Sequence, residues 1–118
     1  QLQDDILGVF GDEKVLGKPN TSDMREGKNT VLIYKTRELA TARDKKILNL
    51  IWGKREAGIK DLSLVQAIIK RSGAFSWCIA ENRRLAKKSE LSISNITADK
   101  HLRLIFSEIA NFVINRQK

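Results

Sequence analysis

Apolar residues recur at intervals of three and four along the chain from about Thr30 onwards, with hardly any of the alternation that marks a β-strand. This spacing predicts an all-α protein. One predicted helix begins at Thr41, which forms a capping box with Asp44, and it ends before Gly53, a residue suited to the position after a helix. Its apolar positions are Ile47, Leu48, Leu50, Ile51 and Trp52.

Three more helices are predicted downstream. We expect Asp61 to cap the first of them, which Gly73 interrupts and whose apolar positions are Leu64, Val65, Ile68 and Ile69. The second carries Phe75 and ends in a stretch rich in Ser and Asn. The last begins near Thr97 and should pack along its whole length through an apolar stripe of Leu102, Ile105, Phe106, Ile109, Phe112 and Val113.

The first ten residues also have the pattern of a helix, and because no capping residue precedes them we expect the chain to begin in mid-helix. The 3.6-residue period separates two faces. The apolar face carries Leu2, Ile6, Val9 and Phe10, and the other face carries Gln1, Asp4, Asp5 and Gly8. Two adjacent carboxylates are therefore expected to project from a helix whose opposite side is buried.

The chain has 118 residues and a formal net charge of +8. Its size fits one domain, and its charge favours an acidic partner, whether a phosphate ligand, nucleic acid or an anionic membrane surface. No apolar run approaches the roughly 18 residues of a membrane span, and the N-terminal residues lack a signal-peptide pattern. We therefore expect a cytoplasmic protein that does not span a membrane. Cys78 and His101, each single, are too few for an intrachain disulfide or a zinc site.

The acidic pair and the segment after it supply candidate ligands for a metal ion and a phosphate group. Asp4 and Asp5 suit Mg²⁺, which prefers one or two carboxylates with waters and phosphate oxygens, although many such pairs are only solvated surface. Lys18 and Lys28 accompany a segment rich in glycine, where lysines act as point charges for phosphate. A nucleoside-triphosphate loop is rejected because Pro19 stands where that motif has Ser or Thr.

Several short motifs follow one another in a characteristic order. They are QLQDDILGVFGD at 1–12, GKP at 17–19 and SDMREGKNT at 22–30. This series resembles the polyprenyl synthetase family, the trans-isoprenyl diphosphate synthases, whose pattern runs FQ, DDxxD, GD, GKP and D(I/L)xEGKxT. A looser similarity to the end of that domain continues at 72–74 and 109–116.

The resemblance implies an all-α antiparallel helical bundle, with residues 1–118 forming the C-terminal part of the isoprenoid synthase fold. The implied activity is Mg²⁺-dependent, head-to-tail condensation of isopentenyl diphosphate with an allylic diphosphate, which yields a longer polyprenyl diphosphate such as farnesyl or geranylgeranyl diphosphate. Carried residue by residue onto this sequence, the implied site is Asp4 and Asp5 for Mg²⁺, Lys18 and Lys28 for the allylic diphosphate, and Gln1 and Asp23 as supporting polar contacts.

The sequence departs from the family pattern at Gly8, where the motif usually has its third aspartate. The chain also lacks the first aspartate-rich motif and the upstream basic residues that the family uses for isopentenyl diphosphate. We therefore expect this chain alone to be inactive and to need the missing N-terminal half. The resemblance further implies a homodimer in the complete protein.

Two other functions stay open. Gly8 is the main support for a noncatalytic regulatory subunit of a prenyl diphosphate synthase. The net charge, with the basic pairs at 54–55 and 83–84, suggests a helical module that binds nucleic acid. The aromatic residues oppose the second alternative, because Phe75, Phe106 and Phe112 fall on apolar stripes rather than among basic residues. Nucleic acid is therefore not the expected partner.

Overall fold

The computed structural model describes residues 2–96 and, further along, 104–105, 108–109 and 111–112. Within these ranges all regular structure is helical, which confirms the all-α prediction. The helices are α1 (Leu2–Phe10), α2 (Glu13–Leu16), α3 (Ser22–Glu26), α4 (Val31–Leu39), α5 (Ala42–Ile51), α6 (Ile59–Ser72) and α7 (Ala74–Ile96). The chain divides after Cys78 into two units. No described helix is both long enough and apolar enough to cross a bilayer.

Helix α5 begins and ends where its local sequence predicts. The hydroxyl of Thr41 accepts a hydrogen bond of 3.2 Å from the backbone N–H of Asp44. At the other end, Gly53 follows the C-cap and has a φ of +91°, a left-handed conformation that a side chain would disfavour. The N-cap at Thr41 and the glycine after the helix are confirmed, and both depend on contacts within one turn. The predicted capping box is only half formed, because the Asp44 carboxylate pairs with Arg71.

Helix α6 begins earlier than predicted. Its N-cap is Gly58, and the carboxylate of Asp61 accepts a hydrogen bond of 2.9 Å from the Gly58 N–H. Asp61 therefore lies inside the first turn and reaches back to the cap, so the predicted start at Asp61 is wrong by one turn. The buried side of α6 consists of Leu62, Val65, Ile68 and Ile69. Leu64, predicted for that side, is exposed instead.

The core of the first unit lies where α1, α4 and α6 pack together, with α3 against α1 and α5 against α6. Each of these five helices contributes at least one fully buried side chain to it, and Val9 does so for α1. Those with no exposed surface include Met24, Leu32, Ile33, Leu48, Val65, Ile68 and Ile69, and the first turns of α7 add Ala74 and Cys78.

A two-pronged ion pair joins the first turn of α5 to the last turn of α6. Both Nε and Nη2 of Arg71 donate to the carboxylate of Asp44, at 2.7 and 2.6 Å. These hydrogen bonds hold the pKa of Asp44 below its ordinary value. The folded state therefore favours the ionised carboxylate.

The second unit is described only in part, and most of the predicted last helix lies outside the described residues. Leu104, Ile105, Ile109 and Phe112 are helical and exposed. The expectation that this stripe packs along its whole length is therefore wrong at Ile105, Ile109 and Phe112. An amphipathic pattern shows that a helix has an apolar face, but it does not show that the partner for that face belongs to the same unit.

We predict that Asp44→Asn lowers the free energy of unfolding at neutral pH, because Arg71 then loses its charged partner. Folding lowers the pKa of Asp44. The ion pair therefore stabilises the folded state fully at pH values above the ordinary aspartate pKa of about 4, and this stabilisation is lost as the pH falls through the pKa of Asp44 in the folded protein. Denaturant titrations at a series of pH values should show that the free energies of unfolding of wild type and variant approach each other only below about pH 4.

Glu81→Gln is the matched control, since Glu81 pairs with Arg84 three residues along one helix and such pairs contribute little. A deficit in Asp44→Asn that is the same at every pH would contradict the ionic explanation.

Candidate functional site

The two acids of α1 lie in different environments. Asp4 is exposed, whereas only 5% of Asp5 is accessible to solvent. A carboxylate oxygen of Asp5 accepts a hydrogen bond of 3.2 Å from the backbone N–H of Val31, the first residue of α4. The prediction that both carboxylates project from an open face is therefore wrong for Asp5, because α3 and α4 pack against the side of α1 that carries it.

Burial leaves the Asp5 carboxylate in an unfavourable setting for its charge. Loss of hydration raises the pKa of Asp5, and the neighbouring carboxylate of Asp23 acts in the same direction. The hydrogen bond from Val31 and the positive charge of Lys28 partly offset this rise. Asp5, Asp23 and Lys28 thus belong to one electrostatic cluster.

Asp23 orients the first of the two predicted phosphate-binding lysines. The Nζ of Lys18 lies 3.1 Å from a carboxylate oxygen of Asp23. The Asp23 side chain is 5% exposed and that of Lys18 is 47% exposed, so a buried acid holds a lysine about half of whose side chain remains accessible. This arrangement suits the supporting role predicted for Asp23.

The Asp23 carboxylate lies against Gly8, where the lack of a side chain leaves room for it. A Cβ atom on Gly8 would lie 2.1 Å from Oδ2 of Asp23, far inside contact distance. The Asp23 carboxylate therefore takes up the volume of a side chain at position 8, where the family motif usually has its third aspartate. An acidic group from α3 stands beside α1 at the point where the sequence lacks one.

Lys28, the second predicted lysine, has an exposed side chain and a firmly held backbone. Its N–H donates to the carbonyl of Asp23 at 3.0 Å, and its carbonyl accepts from Nε1 of Trp52 at 3.1 Å. Sequence reasoning missed Trp52 because the residue lies on the apolar stripe of α5, and nothing in its spacing signals a contact 24 residues away.

The glycine-rich segment before Lys28 contains two short helices, α2 and α3. Asp12 caps α2 through the N–H of Lys14 at 2.9 Å, and the side-chain amide of Asn20 donates to the carbonyl of Gly11 at 2.6 Å. These local bonds fix the path of the chain between α1 and Lys18.

Of the predicted site residues, Gln1 lies outside the described residues. The structure brings Asp5, Lys18, Asp23 and Lys28 together through the contacts above, and Asp4 precedes Asp5 on the exposed side of α1. In the part of the chain that the structure describes, no group of three His, Cys, Asp or Glu residues is arranged to hold a metal ion. A cation here would need further ligands from outside this set of side chains.

Comparison with known proteins places this arrangement in a family. The polyprenyl synthetase family model matches residues 1–69. The whole chain aligns with geranylgeranyl diphosphate synthases of Saccharolobus solfataricus, at 43% identity, and Sulfolobus acidocaldarius, at 37% identity, covering 36% of each. A crystal structure of geranylgeranyl pyrophosphate synthetase from Pyrococcus horikoshii Ot3 superposes with a TM-score of 0.85 and 29% identity, over 98% of this chain and 35% of that one.

The helices therefore have the fold of part of a geranylgeranyl pyrophosphate synthetase. The chain belongs to the polyprenyl synthetase family, as its motifs predict. It spans about a third of the length of the relatives that it matches, 36% for the two synthases above.

We predict that Gly8→Ala destabilises the protein by about 1 to 3 kcal/mol, because the added methyl group displaces the Asp23 carboxylate and disturbs its pair with Lys18. Alanine is intrinsically better than glycine inside a helix by about 1 kcal/mol, so a net loss would have to come from the clash. Gly58→Ala is the control, since a Cβ there meets nothing within 4 Å, and its cost at the N-cap should stay below about 1 kcal/mol.

A double-mutant cycle identifies the clashing group. In an Asp23→Ala background, Gly8→Ala should cost clearly less, because no carboxylate then occupies the space. An equal loss of unfolding free energy in the two backgrounds would show that the added methyl group does not clash with the Asp23 carboxylate.

Proposed function

We propose that the complete protein containing this chain is a Mg²⁺-dependent prenyl diphosphate synthase, which joins isopentenyl diphosphate head-to-tail to an allylic diphosphate. The observation that carries this proposal is the position of Asp23 between the acidic helix and the two lysines. Its carboxylate lies against Gly8 of α1 and pairs with Lys18, and its carbonyl accepts the N–H of Lys28. The names of the relatives support the class of substrate.

Asp4 and Asp5 are the proposed ligands of Mg²⁺. A Mg²⁺ ion needs only one or two protein carboxylates when waters and phosphate oxygens complete its coordination. The exposed Asp4, with or without the buried Asp5 beside it, supplies that number. The volume beside Gly8, which a Cβ would fill, holds a further carboxylate on the same side of the helix. When bound, the ion would neutralise charge on the departing diphosphate.

Lys18 and Lys28 are the proposed contacts of the allylic diphosphate. Both side chains are accessible, and both lysines are tied to Asp23, Lys18 through its amine and Lys28 through its backbone. Their positive charges stabilise the diphosphate as the C–O bond to the allylic carbon breaks. The double bond of isopentenyl diphosphate then forms the new C–C bond and a proton is lost.

The rest of the reaction belongs to parts of the protein outside this chain. We propose that the remaining two-thirds of the relatives' length carries the first aspartate-rich motif and the residues that bind isopentenyl diphosphate. The chain alone is then inactive, as a C-terminal portion of the catalytic domain. We also propose that the complete protein is cytoplasmic and forms a homodimer.

We predict that Asp4→Ala in the complete protein lowers kcat/KM for the condensation by at least about 100-fold, since one charged group that stabilises the transition state is removed. The measurement is Mg²⁺-dependent incorporation of labelled isopentenyl diphosphate into polyprenyl products with allylic diphosphates of increasing length. Glu56→Ala, which removes an exposed carboxylate from the loop between α5 and α6, should leave the rate unchanged.

Retention of full activity by Asp4→Ala would contradict the proposed metal site. A complete wild-type protein that consumes no allylic diphosphate at any Mg²⁺ concentration would instead favour a noncatalytic subunit.

A further inference from the structure

The indole of Trp52 reaches from the end of α5 to the backbone beside α3. Its Nε1–H donates to the carbonyl of Lys28 at 3.1 Å, and the side chain is buried, with 8% of its surface exposed. The same carbonyl also accepts the N–H of Thr30 at 3.1 Å. The Lys28 carbonyl therefore accepts two hydrogen bonds, one from Thr30 in its own turn and one from Trp52, 24 residues away.

A second contact reinforces the first at the neighbouring residues. The N–H of Gly53 donates to the carbonyl of Met24 at 2.7 Å. Gly27 and Gly53 both have positive φ angles, and a Cβ on Gly27 would lie 3.0 Å from the Cα of Gly53. The turn after α5 and the turn after α3 are thus in direct backbone contact, and a side chain on Gly27 would make that contact tighter than usual.

These contacts fix the backbone of Lys28 and leave its side chain at the surface. Its N–H is bonded to Asp23 and its carbonyl to Trp52, so the Cα–Cβ direction of Lys28 is set relative to Asp23 and Lys18. A lysine on a fixed backbone loses less conformational entropy when it binds an anion than a lysine on a mobile loop.

We propose that Trp52 is a positioning residue for the diphosphate site, which acts by holding Lys28 in place. This role rests on the proposed function, since it assumes that Lys28 binds diphosphate. Trp52 itself contacts no substrate in this scheme. The hydrogen bond from its indole N–H connects the end of α5 to the turn that carries Lys28, and so restricts the movement of that turn.

Trp52→Phe separates this role from simple core packing. Phenylalanine keeps an aromatic ring in the buried position but removes the Nε1–H donor. One hydrogen bond corresponds to a change of about 2- to 10-fold in an equilibrium constant. We therefore expect Trp52→Phe in the complete protein to weaken the Mg²⁺-dependent binding of inorganic pyrophosphate by about 2- to 10-fold in isothermal titration calorimetry.

The chain provides a matched control in Trp77, a tryptophan on α7 whose ring lies 4.4 Å from Nζ of Lys35. Trp77→Phe should leave pyrophosphate affinity unchanged. Should Trp52→Phe fold poorly, 3-benzothienylalanine at position 52 replaces the N–H with sulfur in a ring of nearly the same shape, and the same loss of affinity is expected.

The decisive comparison uses a Lys28→Ala background. When Trp52 acts through Lys28, Trp52→Phe has no further effect on affinity once that lysine is removed. An equal loss in both backgrounds, or full affinity in the single variant, would overturn the role of Trp52 while leaving the diphosphate site intact. A wild-type protein that does not bind pyrophosphate, or a Lys28→Ala variant that binds it as tightly, would overturn the proposed role of Lys28 as well.

Discussion

The carboxylate of Asp23 seated against Gly8 is the contact on which the candidate site depends. A buried carboxylate needs a partner, and Lys18 supplies one at 3.1 Å. The close approach to α1 needs a residue without a side chain, and Gly8 supplies that. Because Asp23 also accepts the N–H of Lys28, one residue sets the positions of the acidic helix and both lysines relative to each other.

Hydrogen bonds join the helices and turns around this contact. Asp5 ties α1 to the start of α4, Arg71 ties α6 to α5, and the turn after α5 is bonded to the turn after α3. The two lysines proposed to bind the diphosphate are, by contrast, exposed. A site with fixed backbones and exposed lysines binds an anion without first having to rearrange, which lowers the entropic cost of binding.

Local features were predictable from the sequence, and long-range ones were not. The cap at Thr41 and the glycine at position 53 follow from interactions within one helical turn, and the motif series identified the family from residues 1–30. The burial of Asp5 was missed because the helical period shows which residues share a face but not what covers that face. Trp52 was missed for a related reason, since its partner lies 24 residues away and its type suggested only packing.

A crystal structure of the complete protein with Mg²⁺ and a non-reactive thio analogue of an allylic diphosphate would show whether the acidic helix and the two lysines form one site. We expect a Mg²⁺ ion bound to Asp4 and diphosphate oxygens within hydrogen-bond distance of the Nζ atoms of Lys18 and Lys28. A diphosphate bound away from both lysines, with no ion at Asp4, would contradict this expectation.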